Sequence, residues 1–393
     1  MNTEGKFLKN MSYPRLSKVE NSKYVISPFD KNLLIIVIFM IVVGLITTFS
    51  AMVPREIRAG INPIGIIIKQ LFFIGLGTFG MLFFSKKSYK QLLQYAVPFG
   101  WFVVILLILV KFTPLGVTVN GAKRWLGYGV FQFQPSELAK PAISMLLACA
   151  FFKDVNLWDP IKWKRYFFPI ICMLGLIYLQ PNLSMVLLLL ATGATIYVCA
   201  GGSFWLVGIA IFLAFFIGPM FMHDYQSSRI AIWKNPDIDP KGAGFNIIQS
   251  TIAFVGGGLF GEGFGNSKQK LGWLPEGHTD FIFAVYAEEF GFIGCLLLII
   301  LFILFIHRGL LIASKCPDIQ GKILALGLTA SIGIQAFLNM SVASAFFPAT
   351  GVTLPFISYG GTSLIISMCM IGILLNISKK RITRIQVYGQ QNN

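Results

Sequence analysis

An all-α, polytopic membrane protein with about ten transmembrane helices is the fold class this sequence predicts, and three observations predict it. Apolar residues make up 55% of the 393 and charged residues only 12%, with a mean hydropathy of +0.73. Several apolar runs approach or exceed the roughly 20 residues that cross a bilayer core. Their apolar character is continuous rather than alternating, which argues against a transmembrane barrel and for helices, whose backbone groups are satisfied within the segment.

The spans read as 33–53, 66–85, 92–110, 137–152, 166–179, 183–200, 204–222, 280–306, 323–346 and 355–377. They form one domain, 33–377, between an N-terminal arm (1–32) and a C-terminal tail (378–393). Lys and Arg are retained on the cytoplasmic side of a bilayer. Twenty of the 32 fall on the side of both termini, ten on the other, and Lys69 and Lys140 fall inside spans. Both termini are therefore expected in the cytoplasm. The first span has no A-x-A-like site after it and reads as an uncleaved anchor. The net charge of +16 is scattered over short loops, which suits anionic headgroups and topology rather than nucleic acid. Five of the six cysteines lie in spans and Cys316 in an inner loop, so neither an outer disulfide framework nor a cysteine metal site is indicated.

Along the chain there is no internal repeat, which weakens an inverted-repeat transporter reading. Gln180-Pro181-Asn182 separates two short spans and predicts a bend near the outer face, because proline breaks the helix. The outer loop 112–136 carries Arg124 and Trp125 beside apolar residues, a composition suited to the headgroup level. The outer loop 223–279, between the seventh and eighth spans, is the longest, and extramembranous loops of that length usually carry function. Its glycine-rich run, 256–265, lacks the Gly-Lys-Ser/Thr ending of a nucleotide loop and reads as a flexible or re-entrant segment.

The chemistry-bearing residues cluster where that loop meets the eighth span, in Leu274-Pro275-Glu276-Gly277-His278-Thr279-Asp280-Phe281. Asp280 is either an N-cap and interfacial anchor or a functional carboxylate, since a helix N-terminus favours an anion in both cases. With about 100° per residue, Glu288 lies about 80° around from Asp280 and ~12 Å deeper, where it can line the same cavity. Glu289 falls on the opposite side and is expected to buttress a neighbouring helix. Glu137 and Lys140 are three apart on one helix face. They form either a self-compensating pair or a site in which Lys140 faces a substrate phosphate. The small and hydroxyl residues of 351–363, Ser358 among them, are explained first by close helix packing.

Several ordered motifs then give the chain a resemblance. They are Gly121-Ala122-Lys123-Arg124-Trp125, Gln134-Pro135-Ser136-Glu137-Leu138-Ala139-Lys140, the Leu274–Phe283 stretch, Ala287-Glu288-Glu289, and Phe356-Ile357-Ser358-Tyr359-Gly360-Gly361. Over about residues 30–380 the chain resembles the SEDS family (shape, elongation, division and sporulation), whose members polymerise peptidoglycan glycan strands from lipid II. Its details are closer to the FtsW/SpoVE branch than to RodA. The resemblance implies that Asp280 is the catalytic base and puts Arg124, Trp125 and Lys140 at the family's motif positions; with Glu137, Glu288, His278 and Ser358 these are the candidates for binding substrate. It also implies a class B penicillin-binding protein as partner, alongside other division proteins and a lipid-linked glycan strand as second substrate. No dedicated acidic cage is visible, so a divalent cation, Mg²⁺ or Mn²⁺, would bind mainly through substrate pyrophosphate. Asn182 stands where many members have aspartate, which keeps hydrogen bonding but not charge. A flippase for the same lipid and a non-catalytic division scaffold are the rival readings. The flippase needs charges along the whole membrane, whereas here they concentrate at the outer face.

Overall fold

The computed structural model describes residues 25–26, 29–60, 62–119, 121–128, 131–217 and 224–381. Most of the N-terminal arm, the end of the seventh span (218–222) and the tail beyond 381 lie outside the described residues. In chain order the elements are β1 (Val25–Ile26), α1 (Lys31–Arg58), α2 (Ile64–Lys86), α3 (Tyr89–Gln94), α4 (Ala96–Phe112), β2 (Gly116–Val119), β3 (Ala122–Tyr128) and β4 (Phe131–Phe133). There follow α5 (Ala139–Ala150), α6 (Pro160–Lys162), α7 (Phe168–Leu179), α8 (Leu183–Cys199), α9 (Phe204–Ile217), α10 (Asp224–Lys234) and α11 (Ala243–Gly257). The last are α12 (Ile282–Lys315), α13 (Ile319–Ala343), α14 (Gly361–Ser378) and β5 (Lys380–Arg381). Helices α1, α2, α12, α13 and α14 are long and apolar enough to cross a membrane, and α4, α8 and most of α9 are shorter apolar helices.

The helices are delimited by local chemistry. Asp30 caps α1 by accepting from the Leu33 amide at 2.9 Å, and its carboxylate lies 3.4 Å from Arg308 of α12. Asp318 caps α13 through the Gly321 amide. Asn182 caps α8 through the Met185 amide, a task that needs an acceptor oxygen and no charge. At the centre, α14, α13 and α5 are largely buried, while α9 presents Phe204, Trp205, Ile211 and Phe212 outward, as a lipid-facing helix does. Helix α2 packs along α14, where Gly372 admits the Met81 backbone and Gly77 admits Met368. Small residues drive such close approach in apolar surroundings.

Three local expectations change. The 112–136 loop contains an antiparallel sheet of order β2–β3–β4, so the fold is mostly rather than wholly helical. Trp125 pairs with Val117, and Leu126 lies between Gly116 and Phe133. The eighth span begins at Ile282, which leaves Asp280 in the turn before it. The tenth helix begins at Gly361, not 355, because 351–360 is an irregular segment with Phe356 held at φ 66°.

The glycine-rich run is also not a loose loop. Helix α12 is interrupted at Gly291 (φ 65°, ψ −168°), a backbone geometry open essentially to glycine alone. The break strands the carbonyls of Glu288 and Glu289 and the amides of Phe292 and Ile293. The run satisfies all four. Glu262 and Gly263 amides donate to the two carbonyls at 2.9 and 3.1 Å, and the Gly258 and Leu259 carbonyls accept from the two amides at 2.9 and 3.2 Å. Loop and helix are thereby one unit. Gly291→Ala should lower stability by about 1–3 kcal/mol, read as a drop in thermal unfolding temperature in detergent. An unchanged transition would show that the break does not depend on glycine.

Candidate functional site

Asp280 is placed by three consecutive carbonyls. The Tyr359 amide donates to the His278 carbonyl at 3.0 Å, the Ser358 hydroxyl to the Thr279 carbonyl at 2.6 Å, and the Asn339 side-chain amide to the Asp280 carbonyl at 2.8 Å. Asn339 also donates to the Val352 carbonyl at 2.6 Å. Two separate pieces of chain, the end of α13 and the irregular 351–360 segment, thus clamp the turn that precedes α12. The side chain is left pointing into a cavity of about 510 Å³.

That cavity gathers residues from distant parts of the chain: Arg55 of α1, Arg124 and Trp125 of β3, Arg229 of α10, Glu276 and His278 of the turn, and Tyr359. The guanidinium of Arg124 donates to the Gln180 carbonyl at 3.2 Å and to the Pro181 carbonyl. The bend at 180–182 therefore supplies the acceptors that hold this cation. Arg229 donates to the Ala349 carbonyl at 2.8 Å. Burial pushes the Asp280 carboxyl up to about 7, with the nearby Glu276 charge acting the same way and Arg229 and Arg124 opposing both. His278 is pushed down to about 4, by burial first and then by Arg55, whose guanidinium lies 2.9 Å from Nε2. The ring is thus neutral at physiological pH and accepts from Arg55.

Of the residues singled out from sequence, the structure brings Asp280, Arg124, Trp125 and His278 together at the cavity. Ser358 acts on the backbone of the turn. Lys140 is wholly buried, 2.5 Å from Glu137 and 2.6 Å from the Gln335 side-chain oxygen. It does not line the cavity. Gln335 in turn donates to the Thr353 carbonyl at 3.0 Å, and Thr353 does line it. Glu288, expected to share the Asp280 cavity, lies behind the wall instead. Its carboxylate accepts from the Ser267 hydroxyl and from the Lys268 and Gln269 amides. Glu289 pairs with Lys270 at 2.6 Å and accepts from Ser50 of α1 at 2.6 Å.

Arg55, Arg229, Glu276 and Asn339 were not marked by sequence. Arg55 and Arg229 were visible only as two of ten outer-side cations, with nothing local to distinguish them. Glu276 sat inside the central motif, and Asn339 was a lone amide in an apolar span; each was a signal without a partner.

Comparison with known proteins assigns the chain to one class, the cell cycle proteins whose relatives bear peptidoglycan glycosyltransferase names. Residues 30–383 match the cell cycle protein family FtsW/RodA/SpoVE, and the chain belongs to that family. It is 36% identical over 357 residues to the probable peptidoglycan glycosyltransferase FtsW of Trichlorobacter lovleyi, covering 90% of this chain and 94% of that one. It is also 36% identical to stage V sporulation protein E of Bacillus subtilis, over 89% and 97% of the two chains. Among solved structures it resembles a chain of a peptidoglycan synthase complex described for its coordination of polymerization and crosslinking. That match has a TM-score of 0.74 and 29% identity, over 89% of this chain and 97% of that one.

Two outcomes are expected of the site itself. Asn339→Ala should cost about 1–3 kcal/mol, because it orphans the Asp280 and Val352 carbonyls. Denaturation of the detergent-solubilised variant measures this. The raised Asp280 pKa means that the fold holds a proton the unfolded chain has released between about pH 4 and 7. Stability should therefore fall as pH rises through that window and level off above it. Asp280→Asn should flatten this part of the Tm–pH curve, and an unchanged slope would refute the assignment.

Proposed function

We propose that the chain is a peptidoglycan glycosyltransferase that polymerises lipid II at the outer face of the cytoplasmic membrane during cell division, with Asp280 as general base. The single observation that carries this reading is a partly desolvated carboxylate, in no ion pair among the described residues, facing a cavity lined by three arginines. The family supports the substrate class, and relatives carry the glycosyltransferase name. The charge distribution, read as ten spans with cytoplasmic termini, supports an outward-facing cavity.

In this reading the donor is a lipid-linked glycan strand whose anomeric carbon bears undecaprenyl diphosphate. The acceptor is lipid II. Its sugar C4 hydroxyl oxygen attacks the anomeric carbon, the bond to the diphosphate oxygen breaks, and Asp280 takes the hydroxyl proton. One displacement inverts the centre, so no second carboxylate is needed as nucleophile. Charge accumulates on the departing diphosphate, and Arg124 and Arg229, held by backbone carbonyls, are oriented to meet it. A general base with a pKa near the working pH contributes typically ~10²–10⁴-fold.

Glu276 and Asp280 offer two carboxylates, and the described residues contain no cluster of three or more metal-ligating side chains. That donor set suits Mg²⁺ or Mn²⁺ held mainly by diphosphate oxygens and water, where it would neutralise leaving-group charge. A crosslinking enzyme, a class B penicillin-binding protein, is the partner this reading expects, in line with the solved complex that couples polymerization to crosslinking.

The test is lipid II polymerisation by the purified protein with its partner and Mg²⁺ or Mn²⁺. Native protein should make strands, with a rate that rises with pH on a limb of apparent pKa about 7, since only the ionised carboxylate is a base. Asp280→Asn should lose at least about 10²-fold and the limb with it. Substantial activity in that variant would remove Asp280 as base.

A further inference from the structure

Buried hydroxyls in the spanning helices mostly satisfy themselves. Ser144, Thr192, Thr329 and Ser331 each donate to the carbonyl one turn back on their own helix. Ser363, in the first turn of α14, does not. It is only 7% exposed, makes no bond to its own helix, and lines the Asp280 cavity together with Thr353. Close packing accounts for a small residue there but not for a hydroxyl left without its usual carbonyl.

The cause lies behind the wall. The Lys140 ammonium has donors only, so it is the oxygen of the Gln335 amide that faces it, at 2.6 Å. The Gln335 nitrogen therefore points to the cavity wall. It donates to the Thr353 carbonyl at 3.0 Å and to the hydroxyl oxygens of Thr353 and Ser363 at 3.3 and 3.4 Å. Those two oxygens are 3.1 Å apart and carry two hydrogens between them. One hydrogen bridges the pair. Gln335 accepts neither, because its oxygen is taken by Lys140. The second hydrogen has no acceptor among the described residues, whichever oxygen carries it. Both hydroxyls line the cavity, and a buried donor without an acceptor is costly until a ligand supplies one. Its place beside Asp280 is fixed as well. Asn339 joins the Asp280 carbonyl to that of Val352, the residue before Thr353, and a Cβ on Gly351 would lie 3.6 Å from the Asp280 carboxylate.

We propose that the Thr353–Ser363 pair donates this hydrogen to an uncharged oxygen, a hydroxyl or an amide carbonyl, of the saccharide held beside Asp280, with Gln335 and Lys140 as the positioning residues that set its direction. The inference rests on the polymerase reading above and extends it from the diphosphate to the sugar. The local charge favours a neutral acceptor. Glu137 matches Lys140 at 2.5 Å, and no other cation bonds to Gln335, Thr353 or Ser363 among the described residues. A diphosphate calls for charged donors, which Arg124 and Arg229 provide from other segments.

The experiment uses full-length protein in phosphatidylcholine nanodiscs and two probes. Lipid II carries the saccharide; undecaprenyl diphosphate has the same lipid and diphosphate without it. In the Asp280→Asn background, Ser363→Ala should weaken lipid II binding about fivefold and leave undecaprenyl diphosphate unchanged, and Ser363→Thr should restore the loss. Gln335→Glu keeps the shape but accepts from both hydroxyls, so it should weaken lipid II as much as Ser363→Ala, with no further loss in the double variant. In steady state with Asp280 present, Ser363→Ala should raise KM for lipid II about fivefold while kcat and the pH limb stay as they were. Equal weakening of both probes would assign the hydroxyl to the diphosphate and overturn the proposal, as would unchanged lipid II binding in Ser363→Ala. Folded Gln335→Glu that binds lipid II like its parent would overturn the positioning role; if it does not fold, the Ser363 variants decide alone. Native protein that polymerises while Ser363→Ala is kinetically unchanged sinks this contact only. Ser363-dependent binding of lipid II without any polymerisation would keep the contact and sink the polymerase reading.

Discussion

The site depends on a clamp on the backbone before α12. Three successive carbonyls, of His278, Thr279 and Asp280, are each held by a donor from another part of the chain. A short turn at the boundary of an apolar helix has backbone acceptors that water or lipid would otherwise satisfy poorly. The donors come from Asn339 near the end of α13 and from Ser358 and Tyr359, so the carboxylate is oriented by elements that themselves lie in the buried core. This explains why the 351–360 segment is irregular. A continuous helix from 355 would have spent the Tyr359 amide and the Ser358 hydroxyl on its own turn. The left-handed Phe356 is the strain that goes with this arrangement.

The same logic extends behind the cavity. Breaking α12 at Gly291 leaves two carbonyls and two amides open, and residues 258–263 close all four. Glu288 then gathers the amides of Lys268 and Gln269, while Glu289 ties Lys270 to Ser50 of α1. Two buried carboxylates on adjacent positions are costly unless paired or hydrogen-bonded. Here each is bonded to a different stretch of the same loop, Glu288 to 267–269 and Glu289 to Lys270, which fixes that loop from Gly258 to Lys270. The loop that leads into the Asp280 turn is thereby braced from α1 and α12. Glu137, Lys140 and Gln335 do the corresponding work on the opposite wall, ending at Thr353.

Much of this was legible in the chain and some could not be. Apolar run length and composition identified the helices long and apolar enough to cross a membrane and the long loop that carries the motif. The small sheet escaped because its strands are short and lie among basic and aromatic residues, a composition equally suited to a headgroup segment. The helical wheel placed Glu288 on the Asp280 side, but it assumed that the helix began at Asp280 and ran unbroken. The chain enters the helix two residues later, and the 258–268 loop occupies the face on which Glu288 emerges. Lys140 was recognised as paired with Glu137, yet the pairing alone could not say whether the ammonium faced ligand or protein; Gln335, nearly two hundred residues away, decides it. Arg55 and Arg229 could be found only by folding, because it is tertiary structure that brings them to the cavity, beside His278 and the Ala349 carbonyl.

The electrostatics of the cavity follow from where the arginines find their acceptors. Arg124 and Arg229 donate to the backbone carbonyls of Gln180, Pro181 and Ala349. Asp280 makes no ion pair among the described residues. A guanidinium closed on the carboxylate would hold the Asp280 pKa down rather than leave it raised. Backbone carbonyls orient a guanidinium without cancelling its charge. The bend at Gln180-Pro181-Asn182 provides them, because a proline-broken helix end exposes carbonyls that have no helical partner. A sequence feature with no titratable side chain of its own thereby supplies the acceptors that orient Arg124 in the cavity. It also accounts for Asn182, since the role at that position is to cap α8 and a carboxylate is not required for it.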